Sequence, residues 1–177
     1  LHPHDRVLVE EAAATSLLDI VEDHRAQAVP VRCDDEGPLP DAMEAALATR
    51  PALLLLQTRM ASPYGHALSR RRARALAPVL ADRDIVILEQ DTAHELAPTA
   101  GVSLGEFLPE RTLLVRSWNK SHGPHLRVGA LAGIRRVVSR VRARQKATGG
   151  WPSVLNQRAL AQMLTDARAR ETVGRAR

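Results

Sequence analysis

The sequence predicts an α/β fold, a three-layer sandwich built on a mostly parallel sheet. Three observations predict it. Short apolar runs of strand type alternate with segments of helical periodicity along most of the chain. One run, "ALLLLQT" (Ala52 to Thr58), is apolar without alternation, as in a strand buried on both faces. The connections between these runs are short, which favours helices laid directly on the sheet.

In chain order, "RVLVE" (Arg6 to Glu10) is a strand, and "SLLDIVEDHRAQ" (Ser16 to Gln27) places Leu17, Ile20, Val21 and His24 at helical spacing. "AVPVR" (Ala28 to Arg32) is a second strand, and "DEGPLP" is a turn carrying one glycine and two prolines. "DAMEAALATR" (Asp41 to Arg50) is helical with Asp41 as its expected N-cap. After the buried run, Ser69 opens the helix "SRRRARALAPVLAD", and "IVILEQD" follows as a strand. "TLLVRS" (Thr112 to Ser117) and "VGALAG" (Val128 to Gly133) are two more strands. Helices over 134–147 and 153–166 come next. Residues 1–166 are thus expected to form one domain, and 167–177 to begin a further helix.

The 177 residues suffice for one domain with a sizeable core, and 45% apolar with 25% charged residues is an ordinary globular balance. Aromatics are only 2%, so Ala, Leu and Val must build that core. The net charge of +5 favours anionic ligands or surfaces. Much of the excess lies in "RRRAR" (Arg70 to Arg74) and "RRVVSRVRARQK" (Arg135 to Lys146), where a solvated helix face is the simpler reading and an anion-binding surface the other. The single cysteine, Cys33, excludes an internal disulfide and has no activating neighbour in sequence, so a structural role is expected. No secretory signal and no apolar run of spanning length is present, which points to a cytoplasmic protein. Both ends read as cut from something longer.

In sheets of this kind ligands bind beyond the carboxyl ends of the strands, so the loops after Thr58, Leu88 and Val115 are where chemistry is expected. The third holds "VRSWNKSHGPHLRVGALAG" (Val115 to Gly133). This stretch resembles the lysine segment of fold-type I pyridoxal-phosphate enzymes, in the form found in MocR-type (GntR-family) transcriptional regulators. Those join a winged-helix DNA-binding domain to an aminotransferase-like domain. "DRVLVEE", "DDEGPLPDAMEAAL", "SPYGHALSRRRARAL" and "GGWPSVLNQRALAQMLTD" are similar to further family segments in the same order. The resemblance implies the large domain of that fold over 1–166, with 167–177 the start of a helix leading toward a small domain after Arg177.

The resemblance also implies roles. Lys120 would attach covalently to the aldehyde of pyridoxal 5'-phosphate and then move protons. Ser117 and Arg127 would bind the cofactor phosphate, the latter through its planar fork. Gly123 and Gly129 would let backbone pass close to the ligand. Taken singly, these are also a solvated loop lysine, a capping serine and a strand-end arginine. Together, at the family spacing, they read as a site.

The ring end departs from the family. The aspartate expected beside the pyridine nitrogen is Gln90, with Asp91 one residue on. A glutamine can hydrogen-bond the nitrogen but supplies no charge to keep it protonated. Asp91 could serve only if the strand ended at Glu89, because successive strand residues face opposite ways. The expected tyrosine is Thr92, the asparagine of the Pro-Gly turn is Ser62, and the stacking aromatic falls near Ala14. Loss of that ring costs about 1 kcal/mol of binding. The phosphate end is kept while the ring end is stripped. The family's glycine- and serine-rich phosphate segment would lie before Leu1, and its carboxylate-binding arginine after Arg177.

The sequence therefore points first to a pyridoxal-phosphate-binding effector domain of a MocR-type regulator with weakened or no transaminase activity. Such a domain would form a homodimer, recognise an amino acid or amine, and reach DNA only through a separate winged helix. A cofactor-free pseudoenzyme serving dimerisation is the alternative, and an active aminotransferase the third. His2 and His4 form an isolated "HPH" without a second metal-ligand cluster. His94, His122 and His125 read as solvated loop histidines, and Trp118 and Trp151 as packing residues.

Overall fold

The computed structural model describes residues 1–98, 100–150 and 152–177. Trp151, expected to pack, lies outside them. The architecture is the predicted one, α/β around a mostly parallel sheet. Strand β1 (Arg6–Glu10) leads into helix α1 (Thr15–Asp23) and strand β2 (Gln27–Val31). Two-residue strands β3 (Cys33–Asp34) and β4 (Gly37–Pro38) form a small hairpin before helix α2 (Pro40–Leu47). Strand β5 (Leu53–Gln57), helix α3 (Arg70–Ala81), strand β6 (Val86–Asp91) and a 3-10 turn at Leu104–Glu106 follow. Then come strand β7 (Thr112–Ser117), the one-turn helix α4 (Asn119–His122) and strand β8 (Gly129–Gly133). Helices α5 (Arg135–Ala147), α6 (Val154–Thr165) and α7 (Ala167–Arg175) end the chain.

The six strands lie in the order β2-β1-β5-β6-β7-β8, and only the β7–β8 pairing is antiparallel. The reason is chain length. Between Ser117 and Gly129 there is room for one helical turn, too little for the crossover that parallel pairing requires. Two cores sandwich the sheet. On one face Leu8, Leu54, Leu56 and Ile87 pack against Met43 and Leu47 of α2 and Leu76 and Leu80 of α3. On the other, Val7, Val9 and Leu55 meet Val21 of α1. Each such aliphatic chain contributes about 1.5–3 kcal/mol on full burial, so the low aromatic content leaves no shortage of core.

Three local expectations shift, each for a physical reason. Helix α1 stops at Asp23 rather than running to Gln27. Arg25 takes φ 53°, and the Arg25 and Ala26 amides donate to the Glu22 and Val21 carbonyls, a Schellman turn with arginine in glycine's usual place. Helix α2 begins at Pro40, whose fixed φ suits the first helical position, so Leu39 is the N-cap and Asp41 sits inside the first turn, paired to Arg32 at 3.3 Å. The "DEGPLP" turn is tightened into the β3–β4 hairpin. Ser69 does cap α3, accepting the Arg72 amide at 3.0 Å.

That hairpin is tied to α3 by a buried charge. Arg72, 5% exposed, donates to the Gly37 carbonyl at 2.6 Å, the Pro38 carbonyl at 2.9 Å and the Asp34 carboxylate at 2.7 Å. Hydrogen bonding to Arg72 holds the Asp34 carboxyl below its ordinary value. Helices α5 and α7 bury no residue within the described chain, and α6 buries only Leu160. Val137 and Val138 are half-buried while the arginines of α5 are exposed. No helix among the described residues is long and apolar enough to cross a membrane.

Replacing Arg72 with alanine is expected to cost about 2–3 kcal/mol, read as a lowered Tm at pH 7. A depressed carboxylate pKa adds stability above its unfolded value that is lost as pH falls through its folded value. The Tm gap between wild type and Arg72→Ala is therefore expected to narrow between pH 7 and about pH 3. At Gly133, φ is +119° and an added Cβ would strike the Thr112 carbonyl oxygen. Gly133→Ala is expected to destabilise by about 2 kcal/mol or more in urea unfolding.

Candidate functional site

The polar residues gather at the carboxyl ends of β5, β6 and β7. Register sets Gln57 beside Gln90 and Gln90 beside Val115, with Asp91 beside Arg116 and Ser117 beside Gly129. Alternation then sorts them by face. Gln90 follows Leu88 onto the α1 face, while Asp91 follows Ile87 and Glu89 onto the α2–α3 face. Strand β6 continues through Asp91, so the early strand end that would have turned Asp91 beside Gln90 does not occur.

Asp91 is 2% exposed and fully engaged. Arg59 grips it bidentately, Nε to Oδ1 at 3.0 Å and Nη2 to Oδ2 at 2.5 Å. Arg116 adds Nε to Oδ2 at 3.1 Å. Nearby Glu89 is completely buried and accepts from the Ser103 hydroxyl at 2.5 Å and the Leu104 amide at 2.6 Å. Burial pushes the Glu89 carboxyl up. These groups line a cavity of about 200 Å³ on the face away from Gln90.

On the Gln90 face, a chain of amides runs through Gln57. The Ser62 backbone amide donates to Gln57 Oε1 at 2.9 Å, and Gln57 Nε2 donates to Gln90 Oε1 at 3.0 Å. A backbone N–H can only donate, so it fixes which end of each side-chain amide is oxygen. Gln90 therefore turns its oxygen toward Gln57 and keeps its NH₂ for whatever lies beyond. Ser62 takes part through its backbone, in the loop where a cis peptide joins it to Pro63.

The lysine segment forms a helical turn rather than an open loop. Lys120 is exposed on α4. The Ser117 hydroxyl donates to Asn119 Oδ1 at 2.7 Å. Arg127 is exposed, makes no ion pair among the described residues, and lines an open cavity of about 390 Å³ with Val115, Leu131 and Gln145. Ser117 and Lys120 lie outside that lining. Between Glu110 and Asp166 the chain carries no carboxylate side chain, so this region attracts anions. Gly123 takes φ +107°, and a Cβ at Gly129 would come within 3.0 Å of the Arg116 carbonyl oxygen. Gly129 thus answers to a neighbouring strand.

The remaining positions are accounted for. Ala14 is the N-cap of α1 and offers no ring, and Thr92 is half-buried. Trp118 meets the His94 ring edge-on at 5.4 Å, and its indole nitrogen is buried without a partner among the described residues. Burial holds the His94 pKa down, so this imidazole is not the solvated loop group expected. His122 contacts the Ser121 hydroxyl at 2.8 Å. Burial first, then the Glu10 charge, pushes the Cys33 thiol up to about 12. Sequence reasoning missed Gln57, Arg59 and Arg116. Gln57 breaks a buried run of leucines one residue before its end at Thr58, and was the signal available.

The residues fit a phosphorylated aldehyde at one end: an exposed primary amine, a hydroxyl on the strand leading to it, and an arginine free of carboxylates. The ring end offers an amide donor and no acid.

The whole chain, residues 1–177, matches the family model for aminotransferase class I and II. The vitamin B6 salvage pathway transcriptional repressor PtsJ of Salmonella typhimurium is 30% identical over 167 residues, 94% of this chain and 39% of the repressor. The Pyrococcus horikoshii kynurenine aminotransferase, solved with PMP, superposes with a TM-score of 0.88 at 18% identity, covering 100% of this chain and 46% of that one. The Rhizobium meliloti aspartate aminotransferase gives 0.85 at 25% identity, over 98% of this chain and 46% of that one. The chain spans less than half the length of these relatives. With its sheet order, its lysine segment and this match, the chain belongs to the class I and II aminotransferase family.

Proposed function

We propose that this chain is the cofactor-holding part of an effector domain in a MocR-type transcriptional regulator. It binds pyridoxal 5'-phosphate and has little or no transaminase activity. The observation that carries the reading is the orientation of Gln90. Its NH₂ is a donor, so a pyridine nitrogen placed against it must offer a lone pair and remain unprotonated. An aspartate would hold the proton there instead. The other carboxylate near the strand end, Asp91, is on the opposite face and taken by two guanidiniums.

The bound cofactor would supply a reactive aldehyde and, when its ring is protonated, a sink for electrons. Lys120 supplies the amine that captures the aldehyde. Ser117 and Arg127 orient the phosphate, Arg127 from a stretch without competing carboxylates. Gln57 holds Gln90, and Ser62 holds Gln57. Such a site retains a cofactor and senses an amino acid or amine more readily than it turns one over. The similarity to a repressor of vitamin B6 salvage supports a regulatory role, with homodimerisation and a separate winged helix reaching DNA.

The test is borohydride reduction of the protein mixed with pyridoxal phosphate, followed by peptide mass mapping. A single phosphopyridoxyl adduct on Lys120 is expected, absent in Lys120→Ala. Arg127→Ala is expected to weaken cofactor binding about 10- to 100-fold. Labelling shared with Lys146, the chain's other lysine, or with the Leu1 amine would favour the cofactor-free alternative. Amino-acid-dependent conversion of the wild type to the pyridoxamine form at an enzyme's rate would favour an active aminotransferase. On the proposed reading that conversion is slow in wild type and faster in Gln90→Asp.

A further inference from the structure

Away from the lysine segment, three metal-ligating side chains of three different kinds converge. Glu10 ends β1, Cys33 opens the β3–β4 hairpin, and His66 lies in the loop between β5 and α3. One ligand atom from each lies within 4.8 Å of the other two. His66 Nε2 is 2.8 Å from Glu10 Oε1, and their side chains are 7% and 3% exposed. The second Glu10 oxygen accepts the Gln57 amide at 3.0 Å, which fixes the carboxylate in place. Cys33 is held by its own amide, which donates to Glu11 Oε1 at 3.1 Å, and its thiol donates to the Val31 carbonyl at 3.4 Å.

We propose that Glu10, Cys33 and His66 form a binding site for a divalent transition metal of the zinc type. The ligand set is the argument. A thiolate and an imidazole select a borderline-soft ion over magnesium or calcium, and a carboxylate completes a set common for zinc. Tetrahedral ligands at about 2.0–2.3 Å from zinc stand roughly 3.3–3.7 Å apart, a separation that side-chain rotation reaches from the present one. A cavity of about 130 Å³ opens on Cys33 and His66 and carries Glu11, Asp34 and Asp35 on its wall, leaving a fourth position for water. Of these three carboxylates only Asp34 has an ion-pair partner among the described residues, Arg72, so the surroundings attract a cation. On binding, the Cys33 S–H bond breaks, its proton passes to solvent, and sulfur takes the metal.

The site uses no residue assigned to the cofactor. It reaches the ring end through Gln57, whose backbone holds Glu10 while its side chain holds Gln90.

Cobalt(II) titration of the reduced protein tests it. One equivalent is expected to give a sulfur-to-cobalt charge-transfer band in the near ultraviolet and tetrahedral bands in the visible, both displaced by zinc. Cys33→Ser is expected to abolish the charge-transfer band with unchanged circular dichroism, and His66→Gln to weaken zinc binding about tenfold or more. Glu10 is left unaltered because its burial makes misfolding the simpler outcome of replacing it. Replacing His2 and His4 with alanine is expected to change nothing. No band in the wild type, a band that survives Cys33→Ser, or one lost with His2 and His4 would overturn the proposal.

Discussion

One carboxylate holds the functional end of the sheet together. Asp91 ends β6, Arg59 follows β5 and Arg116 lies in β7, and the two guanidiniums close on Asp91 from both sides. Three successive strands are thereby tied at their carboxyl ends by side chains as well as by backbone. A buried arginine–carboxylate cluster of this kind contributes less net stability than its contacts suggest, because each charge is first stripped of water. Its stronger effect is on geometry. With Asp91 fixed on the α2–α3 face, Gln90 must point to the other.

That constraint passes to the rest of the polar end. Gln90 meets Gln57, Gln57 takes the Ser62 amide, and the direction of every donor follows from one backbone N–H. Glu89, one step back on the Asp91 face, is satisfied by Ser103 and the Leu104 amide and anchors the turn that leads into β7. The lower sheet is aliphatic on both faces and the upper sheet is a set of satisfied polar chains. The first supplies the stability that lets the second be rigid.

The end proposed to take the cofactor phosphate is built otherwise. Ser117 ends β7 bonded to Asn119, Lys120 and Arg127 are exposed, and none has a carboxylate partner among the described residues. Cations without a carboxylate partner keep their full capacity for an anionic ligand. On the proposed reading, the contrast between a locked ring end and an open phosphate end suits a domain that holds a ligand better than it transforms one.

The sequence by itself determined the layers, the strand positions, the Ser69 cap and the segment around Lys120. These depend on local periodicity, on turn chemistry and on motif spacing. It also placed the amide–acid pair Gln90 and Asp91 on opposite faces of one strand, since strand alternation is local. Tertiary structure decided what those residues touch. Arg59 and Arg116 are 32 and 25 residues from Asp91, and only the register of β5, β6 and β7 brings them together. Glu10, Cys33 and His66 span 56 residues and leave no spacing motif, because a strand end, a hairpin and a loop deliver them. A strand's faces are written in its own residues, whereas its neighbours are set by which strands pair.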